Sequence, residues 1–319
     1  MKRIAVLTTG GDAPGMNAAI RSVVRTATYH NVEVLGVFHG WWGLINGELK
    51  LLDRRAVSGI INQGGTMLKT ARCQEFHTEE GKQRAFETVK KDLIDGMVVI
   101  GGNGSFAGAH EFFKRYHVPC IGVPASIDND INGIDMTFGV DTAVNTALRA
   151  IDNIRDTSTS MERIFVIEVM GRNTGYIALT VALAGGCEEV IIPERTYDLE
   201  AICQDIAQGN ARGKASWIIV VAEGAASAAE IARKITEKTS RETRHVVFGH
   251  IQRGGRPTAC SRELALRLGW EAVNRLLAGE HDKAVGICGN KLVTVNFELA
   301  IQHKALDVEG MYNLIRILT

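Results

Sequence analysis

Two carboxylates and a hydroxyl stand close together in the segment Pro124-Ala125-Ser126-Ile127-Asp128-Asn129-Asp130. The apolar run before it, Val118 to Val123, reads as a strand, so the segment reads as a loop at a strand end. One carboxylate in such a loop can take a proton from a substrate alcohol while the second fixes the geometry or holds a hydrated metal. Asp and Asn also favour ordinary turns through bonds to their own backbone, so taken alone the segment weighs a polar turn and a catalytic loop evenly.

Glycine-rich segments elsewhere tip that balance. Thr8-Thr9-Gly10-Gly11-Asp12-Ala13-Pro14-Gly15-Met16-Asn17 follows the first apolar run and opens a helix. Glycine lets the backbone approach a phosphate, and a helix N-terminus offers unpaired amides and a partial positive charge. The segment is neither GxGxxG nor the Lys-containing P-loop. Gly101-Gly102-Asn103-Gly104-Ser105 lies between the run Met97 to Ile100 and a helix expected from Phe106, and its glycines leave room for a bulky triphosphate. Gly64 to Cys73 adds a small-residue turn and Arg72, a cation suited to bracing transferring phosphoryl oxygens. Val169-Met170-Gly171-Arg172-Asn173-Thr174-Gly175, Glu223-Gly224 and Gly249-His250-Ile251-Gln252-Arg253-Gly254-Gly255 bring guanidinium forks, an imidazole and a carboxylate. A sugar phosphate needs those groups for its phosphate and its hydroxyls.

Elements must place these groups. Short Val- and Ile-rich runs recur at Ile4 to Leu7, Val32 to Phe38, Met97 to Ile100, Val118 to Val123, Ile164 to Val169, Val190 to Ile192, Trp217 to Val221 and Val246 to Phe248. Amphipathic stretches of helical length separate them, among them Asn17 to Tyr29, Asp141 to Asp156, Leu199 to Ala211 and Arg262 to Leu277. Strand alternating with helix predicts an α/β fold of parallel sheets covered on both faces. Ligands then sit beyond the carboxyl ends of the strands, where the Gly-rich segments fall. A chain of 319 residues exceeds the size at which one core stops growing, so two lobes are expected, with a join suggested near Gly139.

Lys plus Arg equals Asp plus Glu at 36 each, so no overall field draws the chain to nucleic acid or to an anionic membrane. The six cysteines, at 73, 120, 187, 203, 260 and 288, form no CxxC pair, which argues against a disulfide framework or a zinc site and fits a reducing cytoplasm. The apolar run Ile4 to Leu7 is too short for a signal peptide, and no span reaches the roughly 18 apolar residues of a membrane helix.

Together and in this order, from Gly10-Gly11-Asp12 through Gly254-Gly255 to the Arg262 helix, the segments resemble the bacterial 6-phosphofructokinase family over nearly the whole chain. The resemblance implies two similar three-layer αβα lobes with mainly parallel sheets, the phosphofructokinase fold, assembled as a homotetramer. Residues 1–138 plus 251–301 would form the ATP-binding lobe and residues 139–250 plus 302–319 the fructose 6-phosphate-binding lobe. The implied reaction moves the γ-phosphoryl of ATP, with Mg²⁺, to the 1-hydroxyl of fructose 6-phosphate.

Carried over by position, Asp128 resembles the general base, with Asp130 beside it and Ser126 where the family usually has Thr. Arg172 and Arg72 look like catalytic cations, and Met170, Gly171, Glu223, His250 and Arg253 resemble sugar-phosphate contacts of one subunit. Arg163 and Arg244 are similar to arginines that reach substrate from a neighbouring subunit. Gly11, Arg72, Cys73, Gly102, Asn103, Gly104, Ser105 and Gly108 match the nucleotide site. Arg21, Arg25, Arg54, Arg155, Gly186, Glu188, Arg212 and Lys214 match an allosteric site for ADP or phosphoenolpyruvate, with Glu188 toward effector-bound magnesium.

The chain also departs from that pattern. Asn103, the implied metal contact, replaces the usual Asp, keeping an oxygen but losing a charge that Mg²⁺ favours. Trp41 and Trp42 replace Tyr-Ala, Met161 a His, His77 a Lys, and Tyr176 and Ser261 each an Asp. Two alternatives stand beside the kinase: a weakly active regulatory homologue, favoured by Asn103, and a pyrophosphate-dependent enzyme. Against the latter, Gly104 and Ala125 are small where those enzymes tend to carry Asp and Lys.

Overall fold

In the computed structural model, which describes residues 1–319, the apolar runs become strands β1 (Arg3–Thr8), β2 (Glu33–Val37), β3 (Leu49–Leu52), β4 (Gly96–Gly101), β5 (Cys120–Ser126) and β6 (Phe138–Gly139). They continue as β7 (Ile164–Val169), β8 (Glu189–Ile191), β9 (Trp217–Ala222), β10 (Thr243–Val247), β11 (Lys283–Cys288) and β12 (Lys291–Asn296). The backbone divides into two compact units, Met1–Thr142 with Arg253–Lys304 and Ala143–Gln252 with Ala305–Thr319, each break falling a few residues after the expected one.

The larger unit holds one sheet in the order β12-β11-β5-β4-β1-β2-β3, with β6 paired to β5. Its centre is parallel and dry. Side chains alternate across a strand, so Ala5, Leu7, Met97 and Val99 pack with Phe106, Ala109 and Phe112 of the helix Asn103–Tyr116. Ile4, Val6, Val98 and Ile100, on the opposite face, are also fully buried. A sheet apolar on both faces must be covered on both, which gives the αβα layering. Full burial of each such Leu, Ile or Phe contributes about 1.5–3 kcal/mol.

The smaller unit holds the sheet β10-β7-β9-β8, all parallel. Ile164, Val166, Ile219 and Val221 pack on one face against Ile202 and Ile206 of the helix Leu199–Ala211 and Ile231 and Ile235 of the helix Ala228–Thr239. Ile167, Ile218 and Val220, on the other face, are likewise buried.

The larger sheet is mainly parallel, as expected, with only β3 and β12 antiparallel to their neighbours β2 and β11. Three expectations are corrected. The run Val118 to Val123 does not end before Pro124: the strand continues through Ser126, where Ala125 and Ser126 pair with Phe138 and Gly139. The helix expected from Phe106 begins at Asn103, with Gly102 as its N-cap. The last strand of the smaller sheet is Thr243–Val247 rather than Val246 to Phe248, since an edge strand with one solvated side tolerates Thr243, Arg244 and His245. No helix is long and apolar enough to cross a membrane.

Candidate active site

In the larger unit three chain segments meet at the carboxyl ends of β1, β4 and β5. The hydroxyl of Ser105 donates to Thr9 O at 3.0 Å, tying the segment after β4 to the one after β1. A Cβ on Gly101 would lie 2.3 Å from that hydroxyl and 2.6 Å from Thr9 O, so the junction closes only around glycine. Thr70 donates to Gly10 O at 2.8 Å and Thr8 to Lys69 O at 2.7 Å, which brings the 64–73 turn to the same place. Arg72 on that turn is exposed, and burial raises the Cys73 thiol above its ordinary range.

Gly102, Asn103 and Gly104 form the first turn of the helix Asn103–Tyr116, where backbone amides lack intrahelical acceptors and attract anions. A Cβ on Gly104 would meet nothing within 4 Å, so that side of the turn is open. A Cβ on Gly108 would sit 3.2 Å from both Trp41 and Phe76, whose rings stack at 4.1 Å and 9°. Trp41 is thus core rather than surface, at 5% exposure. Gly11 has a different neighbour: its Cβ would lie 2.6 Å from Nη1 of Arg253, a guanidinium that donates to Asp12 O at 3.1 Å. Arg253 therefore sits with the first Gly-rich loop.

The acidic segment is held from inside. Ser126 Oγ accepts from Asp128 N at 3.1 Å and donates to Asp130 Oδ1 at 3.0 Å. Asn103 Nδ2 donates to Asp130 Oδ2 at 2.9 Å and to Asp130 O at 3.0 Å. Asn129 takes a left-handed conformation, φ 52°, steadied by bonds from its Nδ2 to Asp135 O and from Thr137 N to its Oδ1. Asp128 is 8% exposed on this rigid turn. Sequence reasoning missed Asn129 and Thr137 as its supports, although a left-handed residue between two Asp is a place where Asn is favoured.

The same geometry bears on where a cation could be held. Nowhere do three His, Cys, Asp or Glu side chains converge. Mg²⁺ needs no such cage, since it keeps waters and phosphate oxygens and takes one or two protein oxygens. Asn103 Oδ1 is buried and accepts no hydrogen bond, an orphan oxygen beside the Asp130 carboxylate. That donor set fits a hydrated Mg²⁺ carried by phosphates.

The smaller unit carries the sugar-phosphate candidates other than Arg253, which belongs to the larger one. Beyond β7 the loop Met170-Gly171-Arg172 is pinned by its amides: Glu223 Oε1 accepts from Gly171 N at 3.3 Å and Arg172 N at 2.9 Å. Arg172 is left-handed at φ 53°, and a Cβ on Gly224 would lie 1.9 Å from its carbonyl oxygen. Glu223 and His250 are exposed. Arg163 and Arg244 share a partner that the sequence reading overlooked, Glu242, whose two oxygens take one arginine each. Partial loss of hydration works against ionisation of the exposed Glu242, but the hydrogen bonds from both arginines prevail and lower its pKa.

Among the expected effector residues, the smaller unit brings together Glu188, Arg212 and Lys214 around a cavity of about 410 Å³. Lys214 Nζ lies 3.2 Å from the buried Glu188, and Arg155 donates to the carbonyls of Gly185 and Gly186. Arg21 and Arg25 lie one turn apart on the helix Met16–Tyr29 of the larger unit, where burial and then the charge of Arg25 lower the Arg21 pKa. Arg54 lies in the turn after β3.

The chain as a whole resembles known proteins. A protein named ATP-dependent 6-phosphofructokinase from Bacillus pumilus is 53% identical over 98% of this chain and 98% of its own length. One of the same name from Halothermothrix orenii is 50% identical over the full length of both. The solved phosphofructokinase of Saccharomyces cerevisiae superposes with a TM-score of 0.90 at 32% identity, covering 94% of this chain and 45% of that one. The family model described as Phosphofructokinase matches residues 3–276. With that match over most of its length and identity of about half to full-length relatives, the chain belongs to the phosphofructokinase family.

Proposed function

We propose that the protein transfers the γ-phosphoryl group of ATP to the 1-hydroxyl of fructose 6-phosphate, giving fructose 1,6-bisphosphate and ADP. The observation that carries this reading is full-length identity of about half to relatives named for that activity, joined to an acidic turn braced for proton transfer.

In the proposed step the sugar oxygen bonds to the γ-phosphorus, the bond from that phosphorus to the bridging oxygen of ADP breaks, and Asp128 takes the hydroxyl proton. Asp130, with both carboxylate oxygens engaged, holds the turn. Arg72 and Arg172 offset charge on the moving group. Gly11, Gly102, Gly104, Ser105 and Gly108 shape the nucleotide side, with Cys73 at its edge. Mg²⁺, held by Asn103 Oδ1 through water or directly, would neutralise phosphate charge. Met170, Gly171, Glu223, His250 and Arg253 take the sugar phosphate, with Arg163 and Arg244 serving a neighbouring subunit of a homotetramer. The cluster of Glu188, Arg212 and Lys214, with Arg155, Gly186, Arg21, Arg25 and Arg54, serves ADP or phosphoenolpyruvate. A cytoplasmic setting accords with the reading.

A coupled assay for fructose 1,6-bisphosphate tests the proposal, with ATP and pyrophosphate compared as donors. Turnover with ATP and Mg²⁺ is expected, and little with pyrophosphate, because the open side at Gly104 suits a bulky donor. Turnover with pyrophosphate alone, or with neither donor, would overturn it.

A further inference from the structure

Gln252 is the one residue of the 249–253 turn that is fully buried, and neither its charge nor its exposure marks it for function. Its Oε1 accepts a buried hydrogen bond from Met170 N at 2.9 Å. Because the partner is a donor, the amide orientation is fixed: the nitrogen cannot occupy that place. The nitrogen, Nε2, is buried and has no hydrogen-bond partner. An unpaired buried amide nitrogen is costly, and Met or Leu would fill much the same space without it. The side chain therefore earns its place through the oxygen.

That oxygen acts on a particular loop. Met170 N is bound by Gln252, and the next two amides, of Gly171 and Arg172, are bound by Glu223. Three successive amides thus answer to two side chains from distant parts of the sequence. Arg172 meanwhile keeps a left-handed backbone that a non-glycine residue adopts at a cost. Glu223 is exposed and can be drawn toward a ligand, whereas Gln252 is sealed in the interior.

We infer that Gln252 is a positioning residue for the acceptor substrate: its carbonyl oxygen fixes the Met170 amide, and through it the path of Met170-Gly171-Arg172 toward a phosphorylated sugar. The inference rests on the acceptor reading of that loop given above. Gln252 touches no reacting atom in this account, so its removal must act on the acceptor side and spare the nucleotide.

The test uses the full chain with Gln252→Met, which keeps the shape without the acceptor, and Gln252→Glu, which keeps an acceptor oxygen. Initial rates are measured against fructose 6-phosphate and ATP separately, with a melting curve for each variant. For Gln252→Met, loss of one buried hydrogen bond predicts a KM for fructose 6-phosphate raised about tenfold, with the KM for ATP within about twofold of the parent's. Gln252→Glu should show an acceptor KM that, relative to the parent, depends on pH, since ionising a sealed carboxyl disturbs the loop. A role in packing alone would lower the melting temperature without that split or that pH dependence. An unchanged acceptor KM in Gln252→Met, or a loss shared equally by both substrates, overturns the inference. Should Gln252→Met fail to fold, a pH-independent ratio in Gln252→Glu overturns it. Failure of the parent protein to phosphorylate fructose 6-phosphate would instead refute the proposed function, so the two failures are distinguishable.

Discussion

Asp130 accepts from Ser126 on one oxygen and from Asn103 on the other, which suits it to hold the acidic turn rather than to receive a proton. The proton then falls to Asp128 in the proposed mechanism. Asn cannot act as a base but fills the same space, so Asp128→Asn should lower turnover by about 10²–10⁴-fold while fructose 6-phosphate still binds. Steady-state rates beside equilibrium binding check this, and near-native turnover would remove Asp128 from the base role. Asn103 also has a structural part apart from the proposed metal contact, since its amide nitrogen lies 2.9 Å from an Asp130 oxygen. Asn103→Asp would set two carboxylates at that spacing, and like charges so close repel. The variant should melt at a lower temperature without Mg²⁺, recover when Mg²⁺ is added, and need less Mg²⁺ for half-maximal rate. Melting curves and a magnesium titration that match the parent would show that a carboxylate charge at position 103 does not matter.

At the scale of elements, the two glycine turns make opposite demands. A Cβ at Gly104 meets open space in a helical turn, so Gly104→Ala should hold or raise the melting temperature, by the ~0.5–1 kcal/mol that Ala gains over Gly in a helix, yet raise the KM for ATP. A Cβ at Gly224 would collide with the Arg172 carbonyl at 1.9 Å, so Gly224→Ala should lose about 1–3 kcal/mol of stability and part of its turnover. Melting curves with initial rates separate the two, and equal effects would contradict the geometry. What was legible in the sequence follows the same division. The inner strands other than β11, and the helices Met16–Tyr29 and Leu199–Ala211, could be read because burial on both faces leaves continuous apolar runs, or one apolar face, in the chain. The strands β3 and β12, and most of β10, could not, because edge strands carry polar residues that composition does not separate from loops. In the site, the glycines and charged residues announced themselves by type. Gln252 and Glu242 did not, since their meaning lies in partners 82 and 79 positions away.

Across the whole molecule, equal numbers of acidic and basic residues leave stability to local pairs rather than to net charge. Four carboxylates distributed over both units have lowered pKa values. Asp95 is lowered first by the backbone amide of Lys2, Glu230 by a hydrogen bond from Lys234, and Glu280 by bonds from Lys283 and Arg275. At Glu242 partial loss of hydration against its neighbours opposes ionisation, but the bonds from Arg163 and Arg244 outweigh it. A carboxyl whose folded pKa lies below its unfolded value binds protons more readily when unfolded, so stability rises with pH across that interval. The contribution is complete above the ordinary carboxylate range and is lost as pH falls through the folded values. Arg275, Arg316 and Lys238 have raised pKa values through hydrogen bonds to carboxylates, so their contribution is complete at neutral pH and is lost only in strong alkali. The melting temperature should therefore be level from about pH 7 to 5 and decline below about pH 4.5. Because the pairs at Glu230 and Glu242 are exposed, added salt should shrink that decline. Melting curves over this range at low and high ionic strength make the comparison, and a melting temperature that climbs as pH drops from about 5 to 3 would contradict the assigned directions.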